Sequence, residues 1–262
     1  MLKNIYAPLS GAVAQEKALD VISNNLANAN TTSYKEDAVS FKAMLANPWP
    51  NYPNPLPPAP FKTDMKELYP LHGNEMEYAA FANIKTDHSA GPLKLTQNPL
   101  DLAIEGEAYF ETMTPFGVKY TRDGSFALNS QGFLVTKSGD VVQGEQGGIS
   151  GFNGANIEVL PSGEVYCDKN FVGKLKLVQF KDRSLLEKVG NNTWTYQGAP
   201  ENVTRSQDSH VRQGFLEGSN VNPVKNLTTL ITAHRNYESL QKATKSQDEL
   251  MKMSNKIAEL QG

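Results

Sequence analysis

Three carboxylates close together in the sequence are the side chains best suited to acid–base chemistry. Asp101, Glu105 and Glu107 lie in or beside a run that predicts a strand. In a strand, Asp101 and Glu105 point to the same face but lie roughly 13 Å apart. The two carboxyl groups of a glycosidase lie closer together, at about 5–9.5 Å. We therefore interpret these residues as solvated strand ends and assign no catalytic residue.

Other residues that could bind a phosphate or a metal lack the spacing that such ligands require. The glycine-rich run from Gly144 to Gly151 has no Lys-Ser/Thr pair and no helix pattern after it, which predicts a hairpin or surface loop. Cys167 is the only cysteine, which excludes an internal disulfide and a cysteine-based metal cluster. The sequence thus predicts no metal site, no cofactor and no enzymatic activity. Metal-ligand spacing is also missing among the histidines, which are His72, His88, His210 and His234.

Composition argues against two further classes of protein. The chain has 25 basic and 28 acidic residues, a net charge of −3 and no basic block, whereas nucleic-acid-binding proteins usually carry a cationic patch. No run of about 18 apolar residues is present, which predicts no transmembrane segment. Ala12-Val13-Ala14 resembles a signal-peptidase site, but a helical pattern continues through it, so we expect no cleaved signal peptide.

Apolar residues near the N-terminus recur at the spacing of a helix. A helix over residues 2–29 places them in one stripe, and Asn30 can end it in a left-handed conformation. Asparagines crowd the end of this helix although each lowers helical stability, because its amide competes for backbone hydrogen bonds. The apolar stripe consists of Ile5, Leu9, Ala12, Leu19, Ile22 and Leu26.

A second stripe runs along the C-terminal segment. Asn222-Pro223 is typical of a helix start, since an N-cap residue precedes a proline at the first helical position. Neither glycine nor proline follows up to Leu260, which predicts one long helix. Its seam alternates in steps of three and four, as in a heptad repeat with polar insertions. The seam consists of Leu230, Ala233, Tyr237, Leu240, Thr244, Gln247, Met251 and Ser254.

The region between the two helices predicts a linker followed by a β domain. Residues 36–83 include the proline-rich segment 47–60, NPWPNYPNPLPPAP, which suits an extended connector. Residues 84–215 contain short β-prone runs separated by turn dipeptides such as Asp123-Gly124 and Ser138-Gly139, which indicates antiparallel strands with tight turns. The candidate strands are 100–105, 108–112, 118–121, 133–136, 157–159 and 175–180.

These patterns together predict an α+β protein. A lone helix cannot bury its own apolar stripe, so we expect the long N- and C-terminal helices to pair as a helical coiled-coil domain. This domain would contain residues 1–35 and 220–262. The mainly antiparallel β domain is then an insertion between the paired helices.

Several segments resemble the axial proteins of the bacterial flagellum, the family of rod, hook and hook-associated proteins. DVISNNLANANTTSYK at 20–35 is similar to the N-terminal signature of this family, and residues 217–250 are similar to its C-terminal signature. NPLDLAIEGEAYF at 98–110 and YTRDGSFALNSQGFLVTKSGDVVQG at 120–144 resemble its central β domain. The length and the single β domain suit a basal-body rod protein, most similar to the proximal-rod type. A distal-rod or hook-type protein is the alternative.

The resemblance implies a structural subunit of the flagellar rod, the tubular drive shaft that transmits torque and conducts exported subunits. It implies export by the flagellar type III apparatus and assembly in the periplasm. The implied partners are other rod proteins and further copies of the chain, with the rings around the rod as additional candidates. The implied subunit-interface residues are Ile5, Leu9, Leu19, Ile22, Asn24, Asn25, Leu26, Asn28, Leu230, Tyr237, Leu240, Thr244, Gln247 and Met251.

The asparagines gain an explanation from such an assembly. An amide donates and accepts hydrogen bonds without adding a charge. We therefore expect Asn24, Asn25 and Asn28 to bond neighbouring subunits. Two other classes of function stay open at this point, an enzyme that acts on cell-wall glycan through Glu105 and Glu107, and a peripheral adapter that binds other helical proteins.

Overall fold

The computed structural model describes residues 6–46, 76–152, 156–206 and 208–259. Ile5, His72 and the proline-rich segment 47–60 lie outside these residues, so the predictions made for them stay predictions. Contacts between residues divide the chain into two units. Unit 1 contains residues 1–24, 38–85 and 224–262, and unit 2 contains residues 25–37 and 86–223.

Two long helices form where the apolar stripes predict them. Helix α1 is Tyr6–Ala27 and helix α2 is Pro223–Glu259, which begins at the predicted proline. The left-handed residue after α1 is Ser33, with φ of 55°, and not Asn30 as expected. Ser33 is held there because its N–H donates to the Glu217 carbonyl oxygen at 2.9 Å and its hydroxyl donates to the Arg122 carbonyl oxygen at 2.7 Å. Neither described helix has the length and apolar content that a membrane span requires.

The segment predicted as a linker contains two strands. Strand β1 is Asp37–Ala46 and strand β2 is Met76–Thr86, and they pair in a two-stranded sheet. Strand structure is therefore present at both ends of the segment predicted as a linker, while residues 47–75 lie outside the described residues. Each strand finds its hydrogen-bond partner far away in the sequence, and such pairing leaves no local signal beyond β-prone residues.

The β structure of unit 2 is built from short antiparallel strands. All six predicted strands are present as β4, β5, β6, β8, β11 and β14, with ends that differ by two residues at most. Short 3₁₀ helices occur at Arg183–Leu185 and Pro200–Asn202. The strands are β3 (Leu93–Leu95), β4 (Leu102–Glu105), β5 (Tyr109–Thr114), β6 (Gly117–Thr121), β7 (Ala127–Leu128), β8 (Leu134–Val135), β9 (Val141–Gly144), β10 (Gly147–Gly148), β11 (Ile157–Val159), β12 (Glu164–Cys167), β13 (Asn170–Lys174), β14 (Leu177–Phe180), β15 (Leu186–Gly190), β16 (Thr193–Tyr196), β17 (Val203–Arg205), β18 (His210–Gln213) and β19 (Phe215–Glu217).

Strand β5 is central to the largest sheet of unit 2. That sheet has ten strands in the main order β15-β16-β6-β5-β9-β8-β7, with β10 paired to β9 and β14 paired to both β5 and β17. Strands β11, β12 and β13 form a separate sheet. The last strands of unit 2 return to its first ones, because β18 pairs with β4 and β19 pairs with β3. The strands at the start and the end of unit 2 therefore supply each other's backbone hydrogen bonds.

The two faces of β5 support two hydrophobic clusters, as the period of two in a strand requires. Phe110 belongs to the larger cluster and its neighbour Tyr109 to the smaller one. The larger cluster contains Leu102, Ile104, Ala108, Phe110, Phe126, Leu134, Val142, Ile149, Val159, Val165, Leu175, Leu177 and Val211, and the smaller contains Tyr109, Val178, Phe180, Leu186 and Trp194.

The predicted turns depend on glycine for two different reasons. Gly139, between β8 and β9, has φ of 88°, a left-handed conformation that favours glycine. Gly124 instead passes so close to the backbone that an added Cβ would lie 1.6 Å from the Leu102 carbonyl oxygen. The glycine-rich run forms the predicted hairpin, with Gly147 opposite Gly144. Cys167 is a buried residue of β12.

A buried polar junction as the candidate functional site

The three carboxylates considered for acid–base chemistry each bond a different partner. None of Asp101, Glu105 and Glu107 lines the groove of about 620 Å³ beside Tyr120 and Tyr196. Within the described residues, no group of three or more His, Cys, Asp or Glu side chains is placed to hold a metal ion. The three carboxylates pair as Asp101 with Asn98 Nδ2 at 3.1 Å, Glu105 with Arg212 Nε at 3.1 Å and Glu107 with Arg183 Nη2 at 2.9 Å.

Unit 2 instead encloses a set of charges that sequence reasoning did not find. We call Lys35, Arg122 and Glu217 the junction. Glu217 accepts from Lys35 Nζ through Oε1 and from Arg122 Nε through Oε2, both at 2.7 Å. No more than 2% of any of the three side chains is exposed. A buried ion pair is stable only when the remaining donors and acceptors are also satisfied.

The junction satisfies those remaining groups with backbone from several segments. Lys35 Nζ also donates to the Ser89 carbonyl oxygen at 2.6 Å, and the Gly91 N–H donates to Glu217 Oε1 at 2.9 Å. Arg122 Nη1 donates to the carbonyl oxygens of Gly106 and Ala108 at 3.0 and 2.9 Å. The junction thereby joins the segment after α1, the start of the β domain and the segment before α2.

Charge and burial act in opposite directions on the protonation of the junction. Burial raises the pKa of Glu217, but the charges of Arg122 and Lys35 and the bonds from Lys35 and the Gly91 N–H outweigh it, so the pKa lies below its ordinary value. Burial also lowers the pKa of Lys35, and the carboxylate of Glu217 opposes that shift only in part. Glu217 is therefore ionised at neutral pH, where it compensates two buried cations.

A second polar group of unit 2, which we call the collar, consists of Asn25, Glu36, Asp37, Thr86, Asp87 and Asn220. Asn25 Nδ2 donates to the Asp37 carbonyl oxygen at 2.8 Å, and Asn25 Oδ1 accepts from the Asp37 N–H at 3.0 Å. Asn220 Oδ1 accepts from the Glu36 N–H at 2.7 Å, and its Nδ2 donates to the Asp87 carbonyl oxygen at 2.9 Å. The Asp87 N–H donates to the Glu36 carbonyl oxygen at 2.8 Å, and Thr86 Oγ1 donates to Asp37 Oδ1 at 2.6 Å.

Lys188 connects the collar to the junction. Its Nζ lies 2.7 Å from both Asp37 Oδ2 and the carbonyl oxygen of Lys35. The same ammonium group lies 4.5 Å from the centre of the Tyr34 ring, within cation–π distance. Burial lowers the pKa of Lys188, and the bond to Asp37 opposes that shift.

Asn25, one of the three asparagines expected to bond neighbouring subunits, bonds its own chain instead. Asn25 is 2% exposed, and its amide bonds Asp37 and the Tyr34 hydroxyl group of the same chain. It therefore orients the chain after α1, and its burial keeps the amide away from the surface where a neighbouring subunit could bond it. Asn24 is exposed and Asn28 is partly buried. The role predicted for these two asparagines in a subunit interface stays a proposal.

In unit 1, the predicted seam of α2 has an exposure pattern of its own. Leu230, Tyr237, Leu240, Thr244, Gln247 and Met251 are partly buried and Ala233 is buried, whereas the other described side chains from 227 to 253 are exposed. A Cβ added to Gly11 of α1 would lie 3.3 Å from Leu240 Cδ1, so the two helices touch at this point.

Helix α1 buries smaller residues than the stripe predicts. Ala12, Ala14 and Ala18 are buried, while Leu19, Ile22 and Leu26 are only partly buried. Leu9 is 45% exposed and Val13 is 50% exposed. The large side chains at the start of the described helix therefore lie outside its most buried face.

Sequence reasoning missed the junction because its members have no local signal. Lys35 and Glu217 are 182 positions apart, and Arg122 and Glu217 are 95 apart. A single charged residue is usually solvated. The one available indication was their place in the quoted segments, since Lys35 ends the first and Arg122 and Glu217 lie in two others.

Three families match successive parts of the chain. Residues 5–35 match the family described as "Flagella basal body rod protein", residues 103–167 match "Flagellar hook protein FlgE/F/G D1 domain", and residues 212–257 match "Flagellar basal body rod FlgEFG protein C-terminal". The junction takes one residue from each matched part.

Whole-length relatives agree with these matches. The chain is 33% identical to the flagellar basal-body rod protein FlgF of Caulobacter vibrioides, over 94% of each protein. It is 30% identical to FlgF of Mesorhizobium japonicum, over 96% of this chain and 98% of the relative. It is also 31% identical to the flagellar basal-body rod protein FlgG of Agrobacterium fabrum, over 94% of this chain and 96% of the relative.

Proposed function

The chain belongs to the flagellar basal-body rod protein family, and we propose that it builds the rod through its two long terminal helices. It is a structural subunit of the rod and is FlgF-like. The observation that carries the proposal is the contact between Gly11 and Leu240 on a seam of partly buried residues.

We propose that α1 and α2 pair as a coiled coil in unit 1. The heptad spacing of the α2 seam supports this pairing, and so does the absence of a side chain at Gly11, which lets the helices approach closely. Alanines at 12, 14 and 18 have the same effect on the α1 side. Polar seam members such as Thr244 and Gln247 make the pair weak by itself.

We propose that neighbouring axial subunits stabilise the weak pair of α1 and α2 by covering its exposed apolar side chains. Leu9 and Val13 of α1, and Leu227 and Ile231 of α2, are between 45% and 51% exposed. Their burial against helices of other rod proteins and of further copies would supply the apolar contact that the single chain lacks. Asn24 and Asn28 would add hydrogen bonds to those neighbours.

The remaining steps follow from rod assembly. We propose that the flagellar export apparatus delivers the chain from the cytoplasm and that it assembles in the periplasm, with ring proteins as further neighbours. No catalytic step is assigned, because Asp101, Glu105 and Glu107 each bond a separate partner. Function is distributed over interfaces.

A matched pair of substitutions on α2 tests the proposal. Leu240→Asp places a charge in the seam, whereas Ser239→Asp places the same charge on an exposed neighbour. In a strain that lacks the natural gene, the first variant should be secreted but absent from purified basal bodies, and the cells should not swim. The second should restore swimming. Normal rods containing Leu240→Asp would refute a role of the seam in assembly.

A further inference from the structure

The collar occupies a special position along the chain. The chain passes between the two units after residues 24, 37, 85 and 223. Asn25, Asp37 and Thr86 are the residues of unit 2 next to three of these passages, and Asn220 lies shortly before the fourth. Hydrogen bonds connect these residues inside unit 2 in two sets, one of Asn25, Asp37 and Thr86 and one of Asn220, Glu36 and Asp87. The peptide bonds between residues 36 and 37 and between residues 86 and 87 join the two sets.

The collar is held by hydrogen bonds, which resist rotation of its segments more than apolar contacts do. The hydrophobic effect has no direction, so it does not by itself set the rotation of one segment relative to another. A hydrogen bond is directional: it prefers a donor–hydrogen–acceptor angle above about 150° and weakens steeply below about 120°. Asn25 and Asn220 each donate and accept at the same time. Rotation of the Asn220 segment therefore strains bonds to two other segments, at Glu36 and Asp87, and rotation of α1 strains both bonds between Asn25 and Asp37.

The junction bonds the same three segments of the chain as the collar, at neighbouring residues. Lys35 lies next to Glu36 in the sequence, and its Nζ donates to Ser89, two residues after Asp87. Glu217 lies three residues before Asn220 and accepts from Lys35. An added Cβ on Gly91 would lie 2.1 Å from the Gly218 carbonyl oxygen, so the backbones of these segments are also in direct contact.

We propose that the collar is a torsional lock, which fixes the chain segments leaving unit 2 as one rigid body so that they transmit twist together. The inference rests on the proposed function, since a subunit of a rotating rod carries torque. Asn25 and Asn220 are positioning residues in this device, and the junction is its anchor.

Cooperative loosening distinguishes a lock from a set of independent bonds. Asn220→Ala removes the acceptor of the Glu36 N–H but leaves the acceptors of the Asp37 and Asp87 N–H groups in place. A lock predicts that all three amides exchange with solvent about tenfold faster or more, while amides of β5 keep their rates. Asn25→Ala should likewise accelerate Glu36 and Asp87. Residue-resolved hydrogen exchange of the full chain measures this, with Asn236→Ala on the exposed face of α2 as the control.

Several results would overturn the lock. If only the amide that loses its acceptor exchanges faster, the bonds are independent. If exchange in β5 also accelerates, Asn220 supports the fold as a whole; Asn220→Asp, which keeps the acceptor and loses the donor, repeats the test with less disturbance.

Swimming under load then tests the link to torque. Cells with Asn220→Ala should form normal numbers of basal bodies but swim markedly more slowly than wild type in a viscous medium, whereas Asn236→Ala should match wild type. Equal speeds for both variants would refute the lock and leave the proposed function intact. Absence of the wild-type chain from basal bodies would instead refute the proposed function.

Discussion

Unit 2 and the helices of unit 1 bury different kinds of side chain. Unit 2 packs Phe110, Leu102 and Trp194 to 2% exposure or less and also buries the junction. The described face of α1 buries alanines and leaves Leu9 and Val13 exposed. Apolar burial stabilises a fold roughly in proportion to the area removed from water. Unit 2 therefore buries large apolar side chains within itself, whereas in the proposed function the exposed side chains of the helices are buried by neighbouring subunits.

The largest effect should come from removing the anion of the junction. Glu217→Gln leaves Lys35 and Arg122 buried without a countercharge, which should cost about 3–5 kcal/mol of unfolding free energy. Glu107→Gln removes an exposed ion-pair partner and should cost less than about 1 kcal/mol. Urea denaturation followed by the fluorescence of the buried Trp194 measures both. Equal costs would mean that burial does not increase the cost of removing a carboxylate from its cation.

Replacing a glycine by alanine should change stability in opposite directions in the two regions. Gly91→Ala drives a Cβ into the Gly218 backbone and should destabilise unit 2 by about 1–3 kcal/mol. Gly11→Ala meets only the flexible end of Leu240 at 3.3 Å and should favour α1 by up to about 1 kcal/mol through helix propensity. Urea titration and helical circular dichroism give the two values. A loss of helix in Gly11→Ala would show that the seam is as tightly packed as unit 2.

Acid should weaken unit 2 through His88. Burial lowers the pKa of His88 from 6.5 to about 4, with help from the charges of Arg183, Lys35 and Lys188. Below pH 6.5 His88 binds a proton in the unfolded chain but stays neutral in the folded chain. The free energy of unfolding therefore falls as pH decreases towards 4. The loss between pH 6.5 and pH 5 should be about 2 kcal/mol.

Two histidine variants isolate this effect. His88→Asn should be less stable at pH 7, because the bond to the Tyr109 hydroxyl group changes, but its stability should depend less on pH. His210→Asn, at an exposed position, should keep the wild-type slope. Urea titrations at pH 7 and pH 5 supply the comparison, and parallel slopes for all three proteins would assign the acid sensitivity to other groups.

The smallest effect on the single chain should come from the exposed residues of α1. Leu9→Gln combined with Val13→Gln should change the unfolding free energy by no more than about 0.5 kcal/mol, because both positions are already exposed. Incorporation into basal bodies should fall sharply in the same variant. Glu16→Gln, on the same helix, should change neither quantity. Normal incorporation of the double variant would place the neighbours of α1 on another face.

The boundaries of the units show where sequence reasoning reached its limit. The expected helical domain ended at residue 35 and resumed at residue 220, but unit 2 includes residues 25–37 and continues to residue 223. Lys35 and Asn220 are the physical reason, because their bonds connect them to the β domain. Hydrophobic periodicity reports which residues are apolar and contains no information on which charged residue pairs with which.

The sequence by itself determined the two long helices, the strands between turn dipeptides, the α+β class and the flagellar rod family. Those features are local, since periodicity, turn residues and signature segments depend on neighbours a few positions away. Only the tertiary structure decided that β1 and β2 pair, that Asn25 turns inward and that Lys35, Arg122 and Glu217 meet. Each of these depends on segments far apart in the chain, and a buried charge is stable only where the whole fold brings its partners together.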